Sequence, residues 1–164
     1  MKNLFYLFIM LAVILISCTK ENNPSSTNID TGIGISLKDS KGNNLLNTEK
    51  YKENDIKILY LINNEVKEYY QSNLDNPRGF KFIVDDLPLR MAVSTNTTET
   101  EEFPITYIKW NETDTDTIKC HFNRGSGNDG SFLICDKVWY NGKLAYSTIN
   151  PTIGNKDRQI DVVK

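Results

Sequence analysis

The sequence predicts an all-β fold, a single antiparallel β-sandwich of about eight to ten short strands. Three observations predict it. From Gly32 onward, apolar residues recur with period two in runs of four to nine residues. Turn-forming clusters separate the runs, among them Asn63 with Asn64, Asn76 to Gly79, and Asn141 with Gly142. No stretch sustains a helical period, although Leu45 to Lys57 has room for one turn. The near-continuous series of hairpins keeps an up-and-down β-barrel as the alternative architecture.

The elements follow in order. Gly32 to Lys38 alternates strictly and reads as the first strand, and Asp39 to Asn54 as a long polar loop. Ile56, Ile58, Tyr60 and Ile62 share one face of the next strand. Asn63 and Asn64 tolerate positive φ, so Glu65 to Gln71 returns as a hairpin partner. Phe80 to Val84 and Leu87 to Ser94 are strands joined through Asp85 and Asp86. A Thr- and Glu-rich loop, Asn96 to Glu102, precedes a strand from Phe103 to Trp110. Asn111 to Asp116 turns the chain back into Thr117 to Phe122. Gly125 to Gly130 reads as a mobile hairpin loop leading to Phe132 to Tyr140. Asn141 and Gly142 are the strongest short hairpin signal, joining that strand to Lys143 to Ser147. Gln159 to Val163 closes the domain.

The residues before Thr31 belong to export rather than to the fold. Lys2 gives a short positive start, and Leu4 to Ile16 is an unbroken run of thirteen apolar residues. Leu15, Ile16, Ser17 and Cys18 follow the layout of a secretory signal peptide with a small residue before the cut. They resemble the lipobox of bacterial lipoproteins, in which cleavage before the cysteine makes it the lipid-bearing N-terminus. A membrane-spanning helix is the alternative. Thirteen residues at ~1.5 Å each reach about 20 Å, short of the ~30 Å hydrocarbon core. Several acyl chains on one cysteine anchor firmly, because each buried CH₂ contributes ~0.8 kcal/mol.

On this reading residues 1–17 are the signal peptide, and residues 18–30 a lipidated tether too polar to fold. Residues 31–164 are the β-sandwich domain. Removing the leader leaves 147 residues, enough for one domain with a real core. Loss of Lys2 moves the formal charge from −2 to −3. With no basic stripe, nucleic acid is not an expected partner. The expected location is the cell envelope, at the outer membrane, held by lipid.

Few residue clusters carry chemistry. Gly125 to Gly130 matches G-x-G-x-x-G, but a strand follows where a dinucleotide site needs a helix. His121 is the sole histidine, and Cys120 beside it on a strand points to the opposite face. A shared metal is therefore not expected, and neither is any cofactor. Asn111, Asp114 and Asp116 lack the central glycine and terminal glutamate of an EF-hand loop. Asp116, Thr117 and Ile118 resemble the O-glycosylation acceptor of Bacteroidetes-type exported proteins, which makes Thr117 a candidate for modification. Cys120 and Cys135 form a pair in an exported chain. If the hairpin turns about Gly127 and Asn128, the two stand opposite each other and a disulfide closes. Two buried free thiols are the alternative.

The aromatic residues are the remaining lead. Tyr69, Tyr70, Tyr107, Trp110, Trp139 and Tyr140 all sit in predicted strands, where each either packs in the core or presents a flat face to a ligand. The sequence points to a non-enzymatic binding module for glycan or envelope protein. The alternatives are an assembly accessory without a ligand and, third, a hydrolase using His121. Lys38 to Leu46, Asp55 to Tyr60, Thr106 to Asn111, Asp116 to Lys119 and Val138 to Gly142 resemble a family of small Bacteroidetes-type lipoproteins. That family has no assigned activity. The resemblance implies lipidation and one β domain, and it transfers no catalytic residue. Cys18→Ala is expected to release the protein from membranes or to block its processing. Fractionation with mass spectrometry of the N-terminus checks this, and an unmodified Cys18 in the native protein would contradict it.

Overall fold

A computed structural model of the chain describes residues 26–84, 88–127, 130–150 and 158–164. The expected signal peptide, Cys18 and the expected tether as far as residue 25 lie outside the described residues. So do Asp85, Asp86, Leu87 and Asn128. Eleven strands are described: β1 Ser26–Asp30, β2 Ile33–Lys38, β3 Lys57–Ile62, β4 Glu65–Glu68, β5 Phe80–Ile83, β6 Arg90–Val93, β7 Ile105–Lys109, β8 Thr115–Gly127, β9 Gly130–Tyr140, β10 Lys143–Ser147 and β11 Gln159–Val163. The only helical element among the described residues is a single 3₁₀ turn, Glu53–Asp55, within the stretch expected to hold one.

The strands form two sheets. The larger has the order β1-β9-β8-β7-β3-β4, with β10 also on β9, and the smaller has the order β11-β2-β6-β5. The architecture is a sandwich and not a closed barrel. Its inner faces follow the period-two pattern. Ile58, Ile108, Ile118, Cys120, Phe122, Val138 and Tyr140 from the larger sheet meet Ile33, Ile35, Leu37, Met91, Val93, Ile160 and Val162 from the smaller. Two turns have the predicted chemistry. Asn63 and Asn64 take φ of 52° and 63°, and Asn141 and Gly142 take 47° and 80°. These are the doubly positive angles that match the twist of flanking strands.

Two expectations are corrected. The sheets are mixed rather than purely antiparallel, since β1 runs parallel to β9 and β11 parallel to β2. Residues 26–30, read as tether, are an edge strand. Every residue of β1 is exposed, so no apolar alternation marks it. It is held by backbone pairing from Ser26 opposite Gly130 to Asp30 opposite Ile134. Arg158 adds a side-chain latch, donating to the Asp30 carboxylate and, at 2.9 Å, to the Gly32 carbonyl. A side chain at position 130 would strike the Ser26 backbone, so glycine is required for β1 to dock.

The β8–β9 hairpin is also longer than predicted. Its ladder continues to Gly127 opposite Gly130, so most of the expected mobile loop is strand. A register shift between His121 and Phe122 leaves Asp136 as an extra residue on β9. Below it Cys120 faces Val138, and above it Phe122 faces Cys135.

Ile108 is fully buried at the centre of the larger sheet, whereas Val66 on β4 is 55 % exposed. Ile108→Ala is expected to cost about 2–5 kcal/mol, through lost burial and the cavity left behind. Val66→Ala should stay within about 0.5 kcal/mol of the parent. Urea unfolding of the two variants tests the assignment of faces.

Candidate functional site

The outer face of the larger sheet carries an aromatic and cationic cluster, and strand register explains how it assembles. Asp116, Ile118, Cys120 and Phe122 point into the sandwich, so Thr117, Lys119 and His121 point out. Val138 and Tyr140 point in, so Trp139 points out. Ile105, Lys119, Trp139 and Leu144 stand opposite one another across β7, β8, β9 and β10. Tyr107 lies beside this row, opposite Leu59 and Thr117. These outward residues are half-buried, and none belongs to the core cluster.

Phe103, just before β7, folds over the row and is 38 % exposed. Its ring meets Trp139 edge-on, with centroids 5.7 Å apart, and lies 5.5 Å from the His121 ring. The Lys119 Nζ sits 4.8 Å from the Trp139 centroid and 5.4 Å from that of Phe103. Such placement over aromatic faces is favourable for a cation. The His121 Nδ1 is hydrogen-bonded to the Asp136 Oδ1 at 2.6 Å. Asp136 is the extra residue of the β9 bulge, so an irregularity in the ladder supplies this carboxylate.

A second polar cluster is structural. Asp116 is 3 % exposed and accepts hydrogen bonds from Trp110 Nε1 at 2.6 Å, Tyr140 Oη at 2.5 Å and Asn141 Nδ2 at 2.7 Å. Lys164 Nζ lies 2.7 Å from Asp116 and 2.5 Å from Asp114, whose other oxygen accepts from Tyr51 Oη at 3.0 Å. Burial pushes the Asp116 carboxyl upward. The hydrogen bonds from Asn141, Lys164, Tyr140 and Trp110 outweigh it and hold the group below its ordinary value. Burial likewise disfavours the charged Lys164, but Asp114 and Asp116 raise its pKa overall.

The predicted site residues divide accordingly. Tyr107 and Trp139 join the outer cluster. Trp110 is fully buried and Tyr140 is 9 % exposed, so both leave the set of candidate ligand contacts for the core, where the Asp116 carboxylate satisfies their polar atoms. Tyr69 packs at 4.8 Å against Tyr60, and Tyr70 is 65 % exposed. Both precede the β5 turn, apart from the outer row. Thr117 is half-buried, and its motif partner Asp116 faces the interior.

Cys120 and Cys135 are free thiols, both buried. The turn and the bulge together replace the register that would have set them opposite, which corrects the expected disulfide. The neighbouring Cys135 thiol and burial push the Cys120 thiol well above its ordinary value.

Phe103, Lys119, His121 and Asp136 are the members sequence reasoning missed as ligand contacts. The i, i+2 spacing of Lys119 and His121 was the available signal for the first pair. No serine hydroxyl bonds His121 among the described residues, and no group of three or more metal-ligating side chains gathers there. In the turn from Asn111 to Asp116, the oxygens of Asp114 and Asp116 are taken up by Lys164, Tyr51 and Trp110. Comparison with protein-family models, curated proteins and solved structures finds no match to the chain.

Asp116→Ala leaves a buried indole N–H and a buried phenol without their acceptor and takes one of two carboxylates from Lys164. A loss of about 3–5 kcal/mol is expected. Because the folded state lowers the Asp116 pKa, its contribution is fully present above the unfolded carboxylate value of about 3.9. It is lost as pH falls through the lower folded value. Denaturant titrations between pH 7 and pH 2 should therefore show the acid-dependent loss of stability shrink in Asp116→Ala. An unchanged pH profile would contradict the assignment.

Proposed function

We propose that this protein is a lipid-anchored, non-catalytic module of the cell envelope that binds glycan on the outer face of its larger sheet. The observation that carries the reading is the cluster of Phe103, Trp139 and His121 outside the core. Its rings contact one another and are not packed into the sandwich. Apolar ring surface kept at the solvent boundary of a sheet is suited to the C–H faces of a sugar. The paired His121 and Asp136 put a ring N–H or nitrogen and a carboxylate beside those rings. Hydroxyl groups can both donate to and accept from such a pair. The anchor is supported by the order of Leu15, Ile16, Ser17 and Cys18. It would keep such a module at the membrane surface, near envelope polysaccharide.

A glycan array probed with the full chain in detergent tests this reading. Trp139→Ala and Phe103→Ala are expected to weaken binding to the selected glycan by about tenfold or more, as for central aromatic contacts generally. Their stability should fall by no more than ~1 kcal/mol, the scale of a cross-strand pair. Tyr70→Ala should bind like the parent. Equal binding by all three variants would remove the outer face from consideration.

A further inference from the structure

We infer that the saccharide taken by this face is acidic, and that the Lys119 ammonium recognises its carboxylate. The inference rests on the glycan reading above and deepens it. Its basis is an imbalance of charge on one sheet face. Lys57 and Lys109 each hold a glutamate, Glu68 at 2.9 Å and Glu112 at 2.7 Å. Lys119 is different. Its contacts are the faces of Trp139 and Phe103, and no described carboxylate forms an ion pair with it. Lys137 stands opposite His121, two rungs along from Lys119, and it too has no ion pair among the described residues. The Asp136 carboxylate is engaged by His121, and the exposed Glu101 and Glu102 that precede Phe103 form no ion pair with Lys119. Lys119 and Lys137 are thus two ammonium groups on this face without an ion pair among the described residues.

The geometry suits a uronate. The ring quadrupoles of Trp139 and Phe103 hold the Lys119 head, so less side-chain freedom remains to be lost on binding. An ammonium so held still has N–H groups for a charge-assisted bond to a carboxylate. Asp136 favours a saccharide over an acidic polypeptide, because a sugar's hydroxyls can donate to its carboxylate and a glutamate side chain cannot.

Tryptophan fluorescence of the full chain reads the test, because Trp110 is fully buried and Trp139 reaches the surface. The probes are oligogalacturonate, oligomannuronate and hyaluronan fragments, the methyl ester of each, and poly-glutamate. At least one uronate is expected to bind, with its ester about tenfold weaker, the scale of a hydrogen bond to a charged group. Lys119→Gln should bring acid and ester to about equal affinity while the variant still unfolds cooperatively. An ester that binds as tightly as its acid would overturn the acidic inference and leave the glycan reading standing. Failure of every saccharide, on the array and in solution, would overturn both. Poly-glutamate bound as tightly as the uronates would overturn the inference in favour of a polyanionic protein partner.

Discussion

The buried carboxylate of Asp116 is the constraint on which the rest of the structure depends. It gathers Trp110 from the end of β7, Tyr140 and Asn141 from the β9–β10 turn, and Lys164 from beyond β11 of the opposite sheet. Asp114 extends the network to Tyr51 in the loop before β3. A carboxylate at 3 % exposure is tolerable only when its oxygens are satisfied, and here four donors do so. The donors in turn need it, since an indole N–H and a phenol inside an apolar core must find acceptors. Both sheets and the loop are fixed relative to one another at this end of the sandwich.

That constraint sets the parity of the strands on either side. With Asp116 inward, every second residue of β8 as far as Phe122 is inward, and Lys119 and His121 are outward. With Tyr140 inward, Trp139 is outward. A slip of one residue would exchange the two sets and place the Lys119 ammonium in the core. The bulge at Asp136 then changes parity along β9, so that Cys135 and Val138, three apart, are both buried. The same bulge brings the Asp136 carboxylate to His121. The interior and the outer cluster are two consequences of one register.

At the other end of the domain the junction between sheets is held by Asn96, which is 1 % exposed. Its amide nitrogen donates to the Leu61 and Ile105 carbonyls at 2.9 and 3.2 Å, and its backbone N–H donates to the Thr106 hydroxyl at 2.8 Å. The chain leaving β6 is thereby tied to β3 and β7. Ser94, two residues earlier, accepts from the Tyr60 hydroxyl at 2.9 Å. Polar residues in a segment that reads as loop are here structural, because a backbone passing between two sheets needs partners that neither ladder provides.

By itself the sequence determined the class of fold, the positions of the antiparallel hairpins and most of the buried face. Alternation and turn chemistry are local properties, and β2, β3, β5, β10 and β11 fall where they indicate. The expectation of lipidation rests on the order of Leu15, Ile16, Ser17 and Cys18, which lie outside the described residues. Only the tertiary structure decided the parallel pairings of β1 and β11, since pairing between distant segments leaves no periodic trace in either one. It decided that Trp110 and Tyr140 are interior while Trp139 is not, because burial on a two-faced strand follows from which partner covers each face. It set the two thiols off their expected cross-strand pairing, because the turn register and the inserted residue are invisible until both strands are aligned. It brought Phe103, Lys119, His121 and Asp136 together, because cross-strand neighbours are set by register and not by distance along the chain.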